Sequence, residues 1–228
     1  MKMNLKKVIF FGEKLQNNKK ISMLIFILFF GIVSNISKIY CCTNENEVKG
    51  LFSKELKVRR NSYENIIKIG DNSKKKIIIN ELINILKDKK IDKTFEGTLH
   101  LTIKALGKLK AVEAIPYMLD YFTFVPDGYR VEEMIPTQWY YPTALALIDI
   151  GRSSIRYMKK IIKNPKKTDK EKKLAAWVIN EILGKDKAIE LLIDIERKCK
   201  YAKLSNGKKL SIYIKNFKVT FYNPKQKL

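Results

Sequence analysis

The segment that decides the fold is LHLTIKALGKLKAVEAIPYML, residues 99–119. Within it Leu99, Ile103 and Leu106 fall at positions i, i+4 and i+7, so they share one face of a helix. Gly107 follows directly, and a glycine just past a helix reaches the left-handed conformation that ends it without a Cβ clash. Apolar residues resume at helical spacing a few positions later. The segment therefore predicts a helical hairpin whose first helix stops at Gly107.

The same pattern occurs four times along the chain. Each apolar helical run ends in a glycine and another begins shortly afterwards; the glycines are Gly70, Gly107, Gly151 and Gly184, separated by 37, 44 and 33 residues. Periods of this size are typical of stacked helical hairpins. No single hairpin can bury its own apolar face, so its neighbours must complete the core. The positions that we expect to be buried are Leu106, Ile115, Leu147, Ile155, Val178 and Ile189.

Signals at helix starts support the fourth hairpin. Thr168 and Glu171 have the spacing of a capping box, in which each side chain bonds the other residue's free backbone N–H. Asp186 follows Gly184 and is predicted to cap the partner helix, because a short acidic side chain can accept from the first free N–H groups. The two signals place a helix start on each side of Gly184.

Several strings of the chain resemble the HEAT-repeat family, in particular short bacterial HEAT-like repeats of the phycobilisome-lyase type. The strings are IKALGKL at 103–109, EAIP at 113–116, LIDIG at 147–151 and LAAWV at 174–178. The resemblance covers roughly residues 61–197. It implies an all-α solenoid of about four HEAT-like hairpins that serves mostly as a protein-binding scaffold. An irregular helical bundle is the alternative fold, and lyase activity is suggested only by the family label.

The chain divides into four regions by composition. Residues 1–42 are predicted to be an export signal or membrane anchor, and 43–60 a linker or first cap. The resemblance implies that residues 61–198 form a HEAT-like repeat domain, and we expect an aromatic-rich insertion at 121–142 to interrupt it. Residues 199–228 form a small, basic, non-repeat C-terminal extension.

An apolar run near the N-terminus predicts a membrane signal. The run ISMLIFILFFGIV, residues 21–33, follows six lysines, and only Lys38 lies in the fifteen residues after it. A positive flank before a short apolar core is typical of an export signal. Positive charge stays in the cytoplasm, so the repeats are expected to be exported or anchored outside it. The run is short of the roughly 20 residues that span a bilayer, although residues 21–40 could associate with a membrane.

The C-terminal extension breaks the repeat pattern. From Ser211 to Tyr222 the apolar residues alternate imperfectly, which predicts a strand pair that caps the last hairpin. The segment from Lys200 to Leu228 also carries eight lysines and no acidic residue. A basic tail lying on an anionic surface is therefore an equally open interpretation.

The overall charge suggests a second class of function. The net charge is +23 and the pI is near 9.8, values typical of proteins that bind nucleic acid or anionic surfaces. Only six of the 46 basic residues are arginine, however, and nucleic-acid readers depend on the bidentate arginine fork. A lysine bias also follows from an AT-rich genome. A basic helical-repeat module that binds anions or nucleic acid therefore stays as the alternative to a protein scaffold.

The sequence predicts no catalytic residue, cofactor or metal. His100 is the single histidine and is expected at the surface or at a hairpin contact, so a histidine-based metal cluster is excluded. The three cysteines, Cys41, Cys42 and Cys199, form neither a disulfide framework nor a metal pair by their spacing. Phosphate-binding and metalloprotease motifs do not occur in the sequence. An enzyme of unknown type is thus the third alternative.

The insertion is the predicted binding region. Pro126-Asp127-Gly128 is a strong turn signal, and its flanks 123–125 and 129–131 are predicted to pair as a short hairpin. Tyrosine, tryptophan and arginine together are typical of binding hot spots, and the carboxylates beside them could receive a basic peptide or a polyol. Alternatively, the aromatics plug the groove between hairpins. The candidate partner-binding residues are Phe124, Asp127, Tyr129, Arg130, Glu132, Glu133, Trp139, Tyr140 and Tyr141. We expect a monomer with an unidentified protein partner.

Overall fold

The computed structural model describes residues 47–88, 90–128, 141–199, 202, 204 and 207–215. This part of the protein is mostly helical, as an all-α fold requires. Its helices are α1 (Leu56–Ile67), α2 (Asn72–Lys87), α3 (Thr98–Lys108), α4 (Ile115–Met118), α5 (Pro142–Ile150), α6 (Ile155–Lys163), α7 (Asp169–Leu183), α8 (Lys185–Lys198) and α9 (Leu210–Lys215). Short 3₁₀ turns occupy Gly50–Phe52, Val112–Ala114, Leu119–Tyr121 and Arg152–Ser154.

The helices pack in a regular order along the chain. Helices α1, α3, α5 and α7 form one row, in which each packs on the next. Helix α2 packs on α3 and α4, while α6 and α8 pack against α7. The short helix α9 lies against both α7 and α8. Contacts therefore join helices that are neighbours, or next neighbours, along the sequence.

The core follows the predicted helix faces with two exceptions. Leu106, Ile115, Leu147 and Val178 are fully buried, which confirms four of the six expected positions. Ile155 and Ile189 are only half-buried, so full burial was wrong for them. Ile155 is the first residue of α6, directly after a 3₁₀ turn. Ile189 lies on a face of α8 that the short α9 covers only in part.

Gly107 has a packing role that differs from the predicted one. Helix α3 continues through it to Lys108, and a Cβ at Gly107 would lie 2.6 Å from the Cα of Ala146 in α5. The left-handed residue that ends the helix is Lys110, with φ of 55°. Its N–H donates to the Gly107 carbonyl (2.9 Å), and the Ala111 N–H donates to the Leu106 carbonyl (3.0 Å), which is a Schellman closure.

The other three glycines divide into two kinds. Gly151 and Gly184 end α5 and α7 with φ of 85° and 81°, so these two predicted helix ends are confirmed. Gly70 does not end a helix through a left-handed conformation. Helix α1 already stops at Ile67, and Lys68 forms its C-terminal cap.

The start of α7 matches the sequence, whereas the start of α8 does not. The Thr168 hydroxyl accepts from the Glu171 N–H (3.2 Å) and the Glu171 carboxylate accepts from the Thr168 N–H (2.9 Å), so the capping box is confirmed. Helix α8 begins at Lys185 with Gly184 at the capping position. Asp186 therefore lies within the first turn, where its charge favours the helix dipole without capping it.

The two ends of the chain have different outcomes. Residues 211–215 are helical, so the predicted strand is wrong there, because Leu210 and Ile214 bury one helical face against the core. The remaining predicted strand residues, 216–222, lie outside the described residues. The same holds for the apolar run at 21–33 and the whole of 1–42. Among the described helices, none has the length and apolarity to span a bilayer.

Candidate functional site

The structure describes only the two ends of the predicted binding insertion. Of the nine candidate residues, Phe124, Asp127 and Tyr141 are described. The six that lie outside the described residues are Tyr129, Arg130, Glu132, Glu133, Trp139 and Tyr140. We call residues 121–128 together with 141–143 the insertion base, since the insertion leaves and rejoins the helices there.

Aromatic side chains hold the first half of the insertion base. Tyr121 is half-buried, and its hydroxyl donates to the Leu86 carbonyl at the end of α2 (2.9 Å). The Phe124 ring lies edge-on to the Tyr121 ring, with 6.5 Å between centroids. Burial raises the pKa of Tyr121, with smaller contributions from Asp120 and Asp88, so its phenol stays protonated and donates. Phe124 thus packs partly against the core.

The second half of the insertion base closes on the first. The Thr143 hydroxyl in α5 donates to the Tyr121 carbonyl (2.8 Å), which brings the two ends of the insertion together. The Tyr141 ring is half-buried and lies 5.0 Å from the ammonium of Lys170, a cation–π distance. The insertion therefore starts and finishes at one place on the helical framework.

A preceding loop pairs with the turn of the insertion. The Phe95 N–H donates to the Asp127 carbonyl (2.8 Å), and the Asp127 N–H donates to the Lys93 carbonyl (3.0 Å), so Thr94 and Asp127 form a parallel β-bridge. The predicted pairing partner of 123–125, residues 129–131, lies outside the described residues. The predicted turn itself is confirmed in part, because Gly128 has φ of 77°.

This preceding loop, residues 92–97, is held by its own polar groups; we call it the Asp92 loop. The Asp92 carboxylate accepts from the N–H (2.9 Å) and the hydroxyl (3.1 Å) of Thr94. Its carbonyl accepts from the Leu99 N–H at the start of α3 (3.1 Å). Gly97 lies so close that a Cβ there would be 2.5 Å from the Asp92 carboxylate. The loop is thus a compact platform beneath the turn at Asp127.

Glu96 fastens the Asp92 loop to the helices. Its backbone has φ of 57°, a conformation that costs energy for a residue other than glycine. The Glu96 N–H donates to Nδ1 of His100 (2.9 Å), and its carbonyl accepts from Nε of Arg59 (2.9 Å). Its carboxylate forms an ion pair with Arg60 (2.6 Å). These bonds hold Glu96 in its strained conformation.

His100 packs against the Asp92 loop. It is buried, and its ring centroid lies 5.1 Å from that of Phe95. Burial and, to a smaller extent, the charge of Lys104 together lower the pKa of His100 to about 4, although the charge of Glu96 opposes the shift. An imidazole whose Nδ1 accepts a hydrogen bond carries no proton on that nitrogen, so the neutral ring is the one that holds Glu96.

The platform presents a mixed surface. Phe95 is 42% exposed, and Val125 and the Asp127 side chain are also exposed beside the β-bridge. A carboxylate next to apolar side chains can receive a cationic side chain together with its aliphatic stem. Within the described residues, three or more metal-ligating side chains do not cluster.

Sequence reasoning identified the insertion but missed the Asp92 loop. The loop did carry a signal, since Asp92 and Thr94 have the spacing of a side chain that bonds the backbone two residues later. Comparison of the chain with protein-family models, with curated proteins and with solved structures gives no match. The assignment of a function therefore depends on the residues described above.

Proposed function

We propose that the protein is a HEAT-like helical-repeat scaffold that binds another protein through its insertion. The row of α1, α3, α5 and α7 supports the repeat interpretation, because first helices of stacked hairpins pack on one another in that order. Phe124 and Tyr141 are half-buried, so part of each side chain packs on the core and part stays accessible, which supports a binding role for the accessible part.

The observation that carries the proposal is the anchoring of the insertion. Tyr121, Thr143 and the Thr94–Asp127 bridge tie its two ends to three separate elements. Binding regions are commonly loops that a rigid scaffold positions. A long connection in a compact domain that is held so firmly at its base is suited to such a role.

The partner that fits this surface best is a basic segment of a protein. The stretch from Asp120 to Ile150 contains five acidic residues and a single basic one, Arg130, in a chain whose net charge is +23. Complementary charge guides association and selects among partners. The aromatic residues of the insertion supply the apolar contacts that contribute most binding energy at interfaces.

We further propose that the scaffold is a monomer, exported or tethered to a membrane by the lysine-flanked run at 21–33. A tethered scaffold has its binding surface at a high local concentration near membrane partners. A protein that starts near Thr43 should then be released in soluble, helical form. An aggregated or unfolded product would instead place the run in the core.

The direct test is a pull-down from native membranes with two forms of the protein. One is intact; in the other a short glycine–serine link replaces residues 129–138, which leaves the insertion base in place. Loss of the bound protein from the second form, with an unchanged thermal melt, supports the proposal. Retention of the same partner would overturn it.

Salt dependence separates the proposal from its alternative. An anion- or nucleic-acid-binding module would lose affinity steeply as salt rises, with a log–log slope close to the number of phosphates contacted. A slope clearly smaller than that of a phosphate-binding module, together with dependence on the insertion, favours the scaffold. Asp127→Asn should weaken capture, while Asp194→Asn, at an exposed ion pair on α8, serves as the matched control.

A further inference from the structure

A groove lies at the other end of the described helices, between α8 and α9. Its volume is about 550 Å³. We call it the C-terminal groove; six residues that line it are Ile189, Ile193, Arg197, Lys209, Ile212 and Lys215. This volume is within the range of about 300–1,000 Å³ found for ligand pockets. The groove lies outside the insertion base and shares no residue with it.

The floor of the C-terminal groove is apolar. Ile189 and Ile193 are one helical turn apart on α8, and Ile212 faces them from α9. Ile193 is 43% exposed and Ile212 is 51% exposed, although both are large apolar residues. An apolar stripe along a concave surface is the arrangement that receives the apolar face of an amphipathic helix.

A buried carboxylate joins the two helices that form the groove. Glu196 accepts hydrogen bonds from the Ser211 N–H at Oε1 (2.8 Å) and from the Ser211 hydroxyl at Oε2 (2.7 Å). Both residues are buried. Hydrogen bonds to a buried charged group are strong and directional, so they fix the first turn of α9 against α8. The groove is consequently preformed.

The rim of the groove is positive. Arg197, Lys209 and Lys215 are exposed along it, and among the described residues none of them forms an ion pair with a carboxylate. The negative charge of Glu196 is directed at Ser211. Three cations around an apolar floor attract a ligand that combines acidic and apolar side chains.

We propose that the C-terminal groove binds an acidic amphipathic segment of a partner protein, with its apolar residues on the isoleucines and its carboxylates on the three rim cations. A second copy that docks groove to groove would bring the same positive rim and be repelled. Residues 216–228 contain three lysines and no acidic residue, so their charge also opposes binding there. A bilayer favours protruding apolar side chains rather than a concave floor.

The test uses a designed probe and the full-length protein. The probe is a fluorescein-labelled helical peptide with leucines at i, i+4 and i+7 and glutamates on both flanks. Two control peptides are a scrambled version and a version with lysines in place of the glutamates. Anisotropy should show binding of the acidic peptide alone. Raising the salt concentration should weaken this binding, since the rim cations are exposed.

Two variants of the groove and one matched control locate the binding. Ile193→Ser with Ile212→Ser removes the floor, and Arg197→Glu with Lys215→Glu reverses the rim. Each double variant should weaken binding at least about tenfold, a change of about 1.4 kcal/mol. The control is Lys76→Glu with Ile77→Ser at exposed positions of α2, which should leave affinity unchanged. Thermal melts check that all forms are folded.

Other outcomes overturn the proposal. Equal binding of the scrambled peptide, or an equal loss in the control variant, removes the groove as the site. A tenfold gain in affinity on deleting residues 217–228 identifies the chain's own C-terminal segment as the occupant. Loss of phosphatidylglycerol-vesicle binding in the groove variants, with peptide binding intact, identifies a membrane. Loss of a dimer in sedimentation identifies a second copy.

Discussion

At the insertion base the exposed side chains stand on a loop whose polar groups bond one another, whereas in the C-terminal groove they line two helices. The Asp92 loop holds Phe95 and Asp127 through backbone and carboxylate hydrogen bonds. In the groove a single carboxylate, Glu196, joins α8 to α9 and leaves the isoleucines accessible. The first surface depends on a polar network, and the second depends on helix packing.

The two regions also differ in charge. The stretch that contains the insertion is acidic, while the rim of the groove carries three cations. Opposite potentials on one molecule select opposite partners and disfavour the wrong ones. The net charge of +23 is therefore the sum of an acidic stretch and of a larger basic remainder.

The largest expected effect compares the two tryptophans. Trp177 in α7 is 3% exposed, so Trp177→Ala should cost about 3–5 kcal/mol of the free energy of unfolding. If Trp139 serves binding, Trp139→Ala should barely change stability and should cost about 2 kcal/mol in partner affinity. Chemical denaturation of both variants checks this. Equal destabilisation by the two would end the binding-loop interpretation.

The second-largest expected effect is a loss of stability at low pH, because acidification protonates His100, which holds the Asp92 loop. The pKa of His100 is about 4 in the folded protein and 6.5 as a free side chain, so between these values the unfolded chain binds a proton that the folded one does not. The free energy of unfolding should therefore have its full value above pH 6.5. It should decrease as the pH drops toward 4, by about 3 kcal/mol in total.

Denaturation curves between pH 4 and 8 measure this loss. His100→Asn keeps a hydrogen-bond acceptor near the Nδ1 position and removes the only imidazole. The difference between the two proteins cancels the titration of shared carboxylates. Parallel curves for wild type and variant would show that His100 does not hold the loop through its neutral form.

The third-largest effect on stability is expected at Gly107, where α3 packs closely on α5. Gly107→Ala should cost about 2–3 kcal/mol, because the new Cβ would meet the backbone of Ala146 at 2.6 Å and backbone cannot give way cheaply. Gly70→Ala is the matched control, since nothing lies within 4 Å of its Cβ position. Its stability should change by less than about 0.5 kcal/mol. A neutral Gly107→Ala would contradict the close approach of α3 and α5.

The smallest effect concerns the groove. Glu196→Gln keeps the volume and removes the charge from the bonds to Ser211, so it should cost about 1–2 kcal/mol. A double-mutant cycle with Ser211→Ala tests whether the two residues act together. Additive losses of stability would show that Glu196 and Ser211 act independently. Coupling, with peptide affinity also reduced, would show that Glu196 sets the groove width.

Local signals predicted what depends on neighbours in sequence. The apolar spacing located the helices, and the pair Thr168 and Glu171 located the start of α7. The role of Gly107 was missed because its reason is Ala146, 39 positions away in another helix. The strand predicted from Ser211 was wrong over residues 211–215, because a helix places Leu210 and Ile214 on one face and buries both.

The sequence by itself determined the helical class, the capping box and the helix ends at Gly151 and Gly184, where φ is positive, because each depends on interactions within about one helical turn. Only the tertiary structure decided that the Asp92 loop meets Asp127, that Gly107 is a close-packing position and that Glu196 holds α9 on α8. These contacts join residues 15 to 39 positions apart. The periodicity of apolar residues does not predict such contacts, because they depend on how the helices pack.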